Sequence, residues 1–132
     1  MAHSKKRDCA AGEPLQNTLG CGRGLVGSGW EPPADVQENQ EGFRIVIELP
    51  GVPPEEVCVE LRGRDLWVFG CKPGGSAKGE YLMLERTCGR FVRKFPLGVE
   101  VDTDSIQAEM RDGLLTVSVV RKSPERRTIP VG

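Results

Sequence analysis

Apolar and polar residues alternate with a period of two in four stretches of the chain. The apolar positions of these stretches are Phe43, Ile45, Ile47 and Leu49; Val57, Val59 and Leu61; Phe91, Phe95 and Leu97; and Ile106, Ala108 and Met110. Because successive side chains of a β-strand point to opposite faces of a sheet, this period predicts four half-buried strands. No stretch of comparable length predicts a helix.

The clearest of these features is a hairpin over residues 106–120. Its first arm alternates, Asp112 and Gly113 follow, and residues 114–120 form a second β-rich run. Asp-Gly favours a tight hairpin turn because both residue types tolerate positive φ. The second arm is apolar at nearly every position, which predicts a strand buried on both faces.

Two further segments complete the predicted sheets. Residues 66–69 form a short apolar run typical of an interior strand, and residues 34–38 predict a short edge strand. The chain holds 17 glycines and 10 prolines, which favours many turns over long helices. About seven short strands in one domain predict an all-β antiparallel sandwich.

Composition divides the 132 residues into a domain and two arms. Residues 1–29 are polar and glycine-rich, and we expect them to be disordered because they bury too little apolar surface to offset chain entropy. Residues 22–27 fit G-x-G-x-x-G, but a dinucleotide site needs a strand before this motif and a helix after it, so a flexible linker is the better interpretation. The domain is predicted over residues 30–121, and residues 122–132 are predicted as a C-terminal extension.

Charge and hydropathy argue against several classes of function. The formal net charge is −1, so no overall field attracts nucleic acid or an acidic membrane. No apolar run approaches the roughly 18 residues needed to span a bilayer, and the first residues do not form a secretion signal. We therefore expect a cytoplasmic protein with neither nucleic-acid nor membrane partners.

The reactive residue types predict neither an enzyme nor a metal protein. His3 is the single histidine and lies in the N-terminal arm, so no Ser-His or Cys-His pairing is available for catalysis. Asp102 and Asp104 are better explained by turn formation, because two carboxylates alone bind a metal weakly. The five cysteines contain no C-x-x-C pair, so we expect no disulfide framework, no zinc site and no cofactor.

Two features allow more than one interpretation. Residues 81–84 follow a proline- and glycine-containing loop, and they are either a core strand or a segment that leaves its own sheet to pair with a partner chain. Arg93 shares one face of its strand with Phe91 and Phe95. Its charge either reaches water or meets a carboxylate at an interface.

A short apolar motif lies in the C-terminal extension. Ile129 and Val131 flank Pro130, which favours an extended backbone by fixing its own φ and biasing the residue before it. Both β-branched side chains then project to the same side. The motif is either a tail without a role or a plug for an apolar groove at a sheet edge. A linker of about seven or eight residues spans roughly 25 Å, which reaches the same subunit or a neighbour.

Four motifs together carry a resemblance to a known family. Residues 108–115 match A-x-x-x-[D/N]-G-[V/L]-L, and residues 49–52 match an L-P-G-V turn. Residues 89–95 resemble a G-x-F-x-R-x-F strand, and residues 129–131 match an I-x-[I/V] tail motif. In this order and spacing, the chain resembles the small heat-shock protein (α-crystallin domain) family in its bacterial type.

The resemblance implies an immunoglobulin-like sandwich that forms homodimers and holds partly unfolded client proteins without ATP. Residues 81–84 would cross to the first strand of a partner subunit. The implied dimer interface consists of Val36, Tyr81, Leu82, Met83, Leu84 and Arg93. The implied groove for a tail or client consists of Val57, Val59, Leu61, Ile106, Ala108 and Met110. The tail motif, Ile129, Pro130 and Val131, would dock in that groove and build larger oligomers.

The N-terminal arm departs from the family pattern. Family arms are commonly rich in large apolar residues that bind clients, whereas the segment before Trp30 contains no aromatic residue. We therefore expect weaker or more selective holding of clients and smaller assemblies.

Two other hypotheses predict different behaviour. An adaptor resembling the co-chaperone CS domain would be monomeric, because that family lacks the crossing strand and the tail motif. A thiol-based regulator using Cys58, Cys71 or Cys88 would change its oligomer size with reductant.

Overall fold

The computed structural model describes residues 29–75, 78–123 and 128–132 and shows an all-β chain. Its strands are β1 (Ala34–Glu38), β2 (Gly42–Glu48), β3 (Val57–Arg62), β4 (Asp65–Lys72), β5 (Gly89–Pro96), β6 (Gln107–Arg111) and β7 (Leu114–Val120). They form two antiparallel sheets, ordered β1-β2-β7-β6 and β3-β4-β5. The predicted immunoglobulin-like sandwich is confirmed. Except for Gly29, the arm predicted to be disordered lies outside the described residues, as do residues 124–127 of the C-terminal extension.

The core lies between the sheets, at the positions where the alternation placed it. Ile45 and Ile47 on β2 and Leu66 and Val68 on β4 are fully buried. On β7, Val117 is fully buried while its neighbours Thr116 and Ser118 are only half-buried. The prediction that this arm is buried on both faces is therefore wrong. In a sandwich of two layers, the outer face of a central strand remains open to solvent.

The β6–β7 turn forms as the Asp-Gly pair predicts. Asp112 has φ 53° and Gly113 has φ 78°, which is the positive-φ pair of a type I′ hairpin turn. The amide of Leu49 donates to the carbonyl oxygen of Gly113 at 2.7 Å. The turn at residues 49–52 is closed by the amide of Val52, which donates to the Leu49 carbonyl oxygen at 3.2 Å, with Gly51 at φ 81°. The motif of residues 108–115 and the L-P-G-V turn of residues 49–52 therefore contact each other.

A short connection joins the two sheets along one side of the sandwich. The amide of Trp30 donates to the carbonyl oxygen of Arg90 on β5, at 3.2 Å. Three residues later the Pro33 carbonyl oxygen accepts a hydrogen bond from the Glu48 amide on β2, at 3.0 Å. Because β5 and β1 are thus neighbours on this side, the opposite edge strands, β3 and β6, lie together on the other side.

The structure excludes one of the two interpretations of residues 81–84 and corrects one expectation. Residues 81–84 are not a core strand, because they form no strand and are exposed. The expectation of no disulfide is wrong, since Cys58 and Cys71 are both disulfide-bonded. Sequence spacing detects local cysteine pairs, whereas a disulfide depends on the distance between Cβ atoms in the folded chain.

Candidate binding groove and subunit-contact surfaces

Strand β3 provides the first wall of the candidate groove. Val57, Val59 and Leu61 occupy alternate positions on β3, so all three point toward the core. They pack against the core cluster but are only half-buried. A strand interior to the sheet would bury these side chains fully, and β3 is at the sheet edge.

Strand β6 and the residue before it provide the second wall. Ile106, Ala108 and Met110 are half-buried against the same core, while Gln107 and Glu109 between them are exposed. β6 is the edge strand of the other sheet. Five of the predicted groove residues therefore lie on the inner faces of two edge strands, and Ile106 directly precedes β6. The six residues together are called the β3/β6 groove below.

The chemistry of the β3/β6 groove suits an extended peptide. An edge strand has one row of backbone amide and carbonyl groups that its own sheet does not pair. An added peptide pairs with that row and places alternate side chains in apolar pockets. The walls supply aliphatic side chains and one thioether, which suit Val, Ile and Leu side chains of a ligand.

The tail motif is not packed in the groove of its own chain. Ile129 is 78% exposed and Val131 is 98% exposed. Aliphatic side chains lose about 1.5–3 kcal/mol by remaining in water instead of being buried. Both motif side chains therefore remain in contact with solvent in this structure.

A second surface lies at the β1 edge. Val36 pairs with Ile45, which is fully buried, so both side chains are on the inner face of the four-stranded sheet. Val36 is nevertheless 50% exposed, so the core of its own subunit covers only part of this side chain. The outer edge of β1 also has unpaired backbone groups.

The loop between β4 and β5 carries four consecutive exposed side chains. These are Tyr81, Leu82, Met83 and Leu84, with exposed fractions of 52%, 98%, 72% and 63%. No other group of consecutive residues in the described ranges exposes so much apolar surface. Exposed patches of this kind are typical of contact sites between proteins. Residues 81–84 do not pair with β1 of their own chain, since β1 pairs with β2 alone among the described strands.

Arg93 has a partner that neither predicted alternative named. Its Nη1 atom donates to the Pro32 carbonyl oxygen at 2.8 Å, and its guanidinium lies 5.0 Å from the ring centre of Phe95. Arg93 therefore joins β5 to the connection that precedes β1. This position is beside the β1 edge, where the resemblance places the dimer contact.

The local contacts of Asp102 agree with one prediction from the sequence. The Asp102 side chain accepts a hydrogen bond from the Asp104 amide and caps the 3₁₀ turn Thr103–Ser105, which is the predicted turn role. Within the described ranges, no group of three or more His, Cys, Asp or Glu residues is arranged to hold a metal. No helix in the same ranges is long and apolar enough to cross a membrane.

Sequence reasoning missed a second buried cluster. Cys58, Phe69 and Cys71 are 3%, 2% and 6% exposed, yet they lie outside the core cluster. Cys58 pairs with Phe69 on the face of the three-stranded sheet that points away from the core. The uninterrupted apolar run of β4 was the one available signal, because it places apolar side chains on both faces.

Comparison with known proteins identifies the domain. Residues 35–132 match the model of the Hsp20/alpha crystallin family. The 19.0 kDa class II heat shock protein of rice, Oryza sativa subsp. japonica, is 40% identical over 102 residues, which cover 70% of this chain and 58% of the rice protein. The chain thus spans less than two thirds of that relative.

Two solved structures have the same fold. Heat shock protein 16.0 of Schizosaccharomyces pombe aligns with a TM-score of 0.65 and 30% identity, over 78% of this chain and 99% of that one. A small heat-shock protein of Xylella fastidiosa aligns with a TM-score of 0.67 and 29% identity, over 80% and 99%.

These comparisons confirm the resemblance at the level of the family. The bacterial type is not supported, because the rice relative and further curated relatives from maize, sunflower and Arabidopsis are plant class II proteins. No observation favours the CS-domain alternative. On the match over residues 35–132, the chain belongs to the Hsp20/alpha crystallin family.

Proposed function

We propose that this chain is an ATP-independent molecular chaperone that holds partly unfolded proteins and prevents their aggregation under stress. The β3/β6 groove is the observation that carries the proposal. Its six apolar side chains are half-buried between two edge strands, and the fold is that of a chaperone family. A folded protein keeps its apolar segments buried, so such a groove selects chains that have lost their native packing.

Binding of this kind needs no chemical step. An extended client segment gains main-chain hydrogen bonds at the β3 or β6 edge and buries alternate side chains against both walls. Each buried aliphatic side chain contributes about 1.5–3 kcal/mol before the cost of ordering the client. Affinity then depends on apolar content and strand propensity instead of on one defined sequence.

The first step of assembly in this proposal is a homodimer. Residues 81–84 of one subunit would pair with the β1 edge of the other and cover Val36. The exposure of both surfaces supports this exchange, which is the arrangement of the bacterial and plant branch of the family. Arg93 would lie at its margin, through the Pro32 contact.

Larger oligomers would form through the tail motif. Ile129 and Val131 of one subunit would dock in the β3/β6 groove of a neighbour, with Pro130 holding the backbone extended. Exposure of both side chains in their own subunit supports docking between subunits. The Xylella fastidiosa relative is described as having a distinct high order structure. The N-terminal arm has no aromatic residue before Trp30, so we expect assemblies smaller than is usual in the family.

We also propose that the chain works in the cytoplasm. Thiols of that compartment, such as glutathione, keep most protein disulfides reduced. The disulfides of Cys58 and Cys71 would be opened there by thiol–disulfide exchange, which oxidises the attacking thiols. No cofactor, nucleic acid or membrane is required for the proposed activity.

The test measures thermal aggregation of citrate synthase by light scattering, without nucleotide. The wild-type chain is compared with Ala108→Glu, which places a carboxylate in the groove wall, and with Gln107→Glu. The control adds the same charge one residue away, on the exposed face of β6. We expect the wild type and Gln107→Glu to suppress scattering equally. Ala108→Glu should need about fivefold more protein for the same effect, because a charge in an apolar groove is costly.

Two results would contradict this proposal. If wild-type protein at equimolar ratio leaves the scattering unchanged, the chain does not hold this class of client, and a monomeric chain would then favour a CS-like adaptor. If Ala108→Glu and Gln107→Glu suppress scattering equally, holding occurs on another surface.

A further inference from the structure

Trp30 contacts both ends of the loop that carries residues 81–84. Its indole Nε1 atom donates to the carbonyl oxygen of Gly89, the first residue after the loop, at 3.2 Å. The ammonium group of Lys72, the last residue before the loop, lies 5.3 Å from the Trp30 ring centre. Lys72 and Gly89 are paired across the β4–β5 ladder, so the indole packs against the base of the loop.

Further contacts fix the position of the indole. Its ring meets that of Phe91 edge to face, with centroids 5.7 Å apart, and Phe91 is 1% exposed. The Trp30 amide donates to the Arg90 carbonyl oxygen, and Trp30 forms a parallel bridge with Phe91. The indole is therefore packed against a buried position of β5.

The same residue is connected to the β1 edge by a short segment. Pro32 accepts the hydrogen bond of Arg93, and β1 begins at Ala34, four residues after Trp30. Pro32 and Pro33 restrict the backbone between them. Trp30 thus contacts the base of the loop that carries residues 81–84, which would leave the subunit. The short segment with two prolines also connects Trp30 to the β1 edge, which would receive the loop of a partner.

We propose that Trp30 is a positioning residue for dimerisation, which orients the crossing loop relative to the β1 edge. The inference rests on the proposed dimer. In an exchange of two loops, each subunit must present its own loop and its own receiving edge in one geometry at the same time. Fixing both in advance lowers the ordering cost of association.

The test uses the full chain and its two tryptophans, Trp30 and Trp67. Trp30→Phe keeps a ring against Phe91 and Lys72 but removes the Nε1 hydrogen bond. Trp67→Phe is the control, because Trp67 contacts Arg62 and Lys94 and neither end of the loop. Dimer dissociation constants are measured by sedimentation over a dilution series, with Ile129→Ala/Val131→Ala in every variant to limit assembly through the tail. We expect Trp30→Phe to raise the dimer dissociation constant about 3- to 10-fold, because one hydrogen bond is lost. Trp67→Phe should change this constant by less than about twofold.

A second measurement separates positioning from a general loss of stability. In the Trp67→Phe background, Trp30 is the single tryptophan. Its emission, excited at a wavelength that Tyr81 does not absorb, should shift to the red as dilution separates the subunits. Leu66→Val is a core substitution near the start of β4, opposite Phe95 and at the far end of the ladder from Lys72 and Gly89. It should lower the urea midpoint without changing the dissociation constant.

The outcomes distinguish this inference from the proposed function. A wild-type monomer at all concentrations overturns the dimer itself. A wild-type dimer whose dissociation constant is unchanged in Trp30→Phe overturns the role of Trp30. Emission that does not depend on concentration, or a dissociation constant raised equally by Leu66→Val, also contradicts the positioning role.

Discussion

At the scale of single residues, glycines show that one residue type serves two purposes in this fold. Gly63, in the β3–β4 turn, has φ 62°, and a Cβ atom there would meet nothing within 4 Å. Gly70, within β4, is required for space, because a Cβ atom would overlap the carbonyl oxygen of Glu56. Conformation governs the first position and close packing of the backbone governs the second.

Alanine substitutions separate these two effects. We expect Gly63→Ala to lower the free energy of unfolding by about 1 kcal/mol, the cost of a positive φ for a residue with a side chain. Gly70→Ala should cost about 2–3 kcal/mol, because the backbone of residue 56 must move. Urea denaturation followed by circular dichroism measures both. Equal costs would show that β4 and residue 56 separate easily, contrary to the packing described.

Some residue roles were predictable from sequence, and others depended on contacts between distant segments. The Asp102 cap and the Asp112 and Gly113 turn follow from local chemistry, and the structure confirms both. The Arg93 hydrogen bond to Pro32 joins residues 61 positions apart, and no local pattern indicates it. The disulfide bonding of Cys58 and Cys71 likewise depends on spatial approach, so the expectation from spacing was wrong.

At the scale of elements, the alternation of apolar and polar residues predicted which face of each strand is buried. It did not predict the order of the strands or their contacts with other subunits. Six half-buried groove positions were identified as alternating residues of two strands, and both strands exist. Alternation could not show that β3 and β6 are edges on the same side, since strand order depends on the whole fold. For residues 81–84, the apolar run fitted a core strand and an exposed contact segment equally. An apolar side chain can be buried by its own subunit or by another chain, and the local sequence does not distinguish these cases.

The β1 edge permits a matched test of the proposed dimer. Val36→Glu places a charge on the inner face, where the crossing segment of a partner would pack. Gln37→Glu places the same charge on the adjacent position, which faces outward beside Arg44. We expect Val36→Glu to raise the dimer dissociation constant at least about tenfold, because a carboxylate would be buried without a partner, while Gln37→Glu leaves it nearly unchanged. Sedimentation velocity over a dilution series measures both, and equal constants would place the dimer contact elsewhere.

At the scale of the whole molecule, the sandwich leaves apolar surface open on two opposite sides. On one side, Val36 projects from an uncovered edge. On the other, the β3/β6 groove exposes parts of six side chains. The chain also carries two exposed apolar segments, residues 81–84 and the tail motif. Each open side therefore has a candidate occupant of matching chemistry within the same sequence, which is the arrangement expected of a subunit that assembles with copies of itself.

The tail offers the sharpest test of this view of the molecule. Ile129→Ala/Val131→Ala removes both side chains that would enter the groove, while Thr128→Ala changes the adjacent residue outside the motif. If tails join dimers, the double variant should have the mass of a dimer by multi-angle light scattering, and Thr128→Ala should retain the wild-type mass. Two buried β-branched side chains account for about 3–6 kcal/mol per contact, enough to decide assembly at micromolar concentration.

The double variant should also hold clients at least as well as the wild type, because its grooves are no longer shared with tails. An unchanged mass would show that the tail does not join subunits, and reduced holding would show that it contributes directly to client binding.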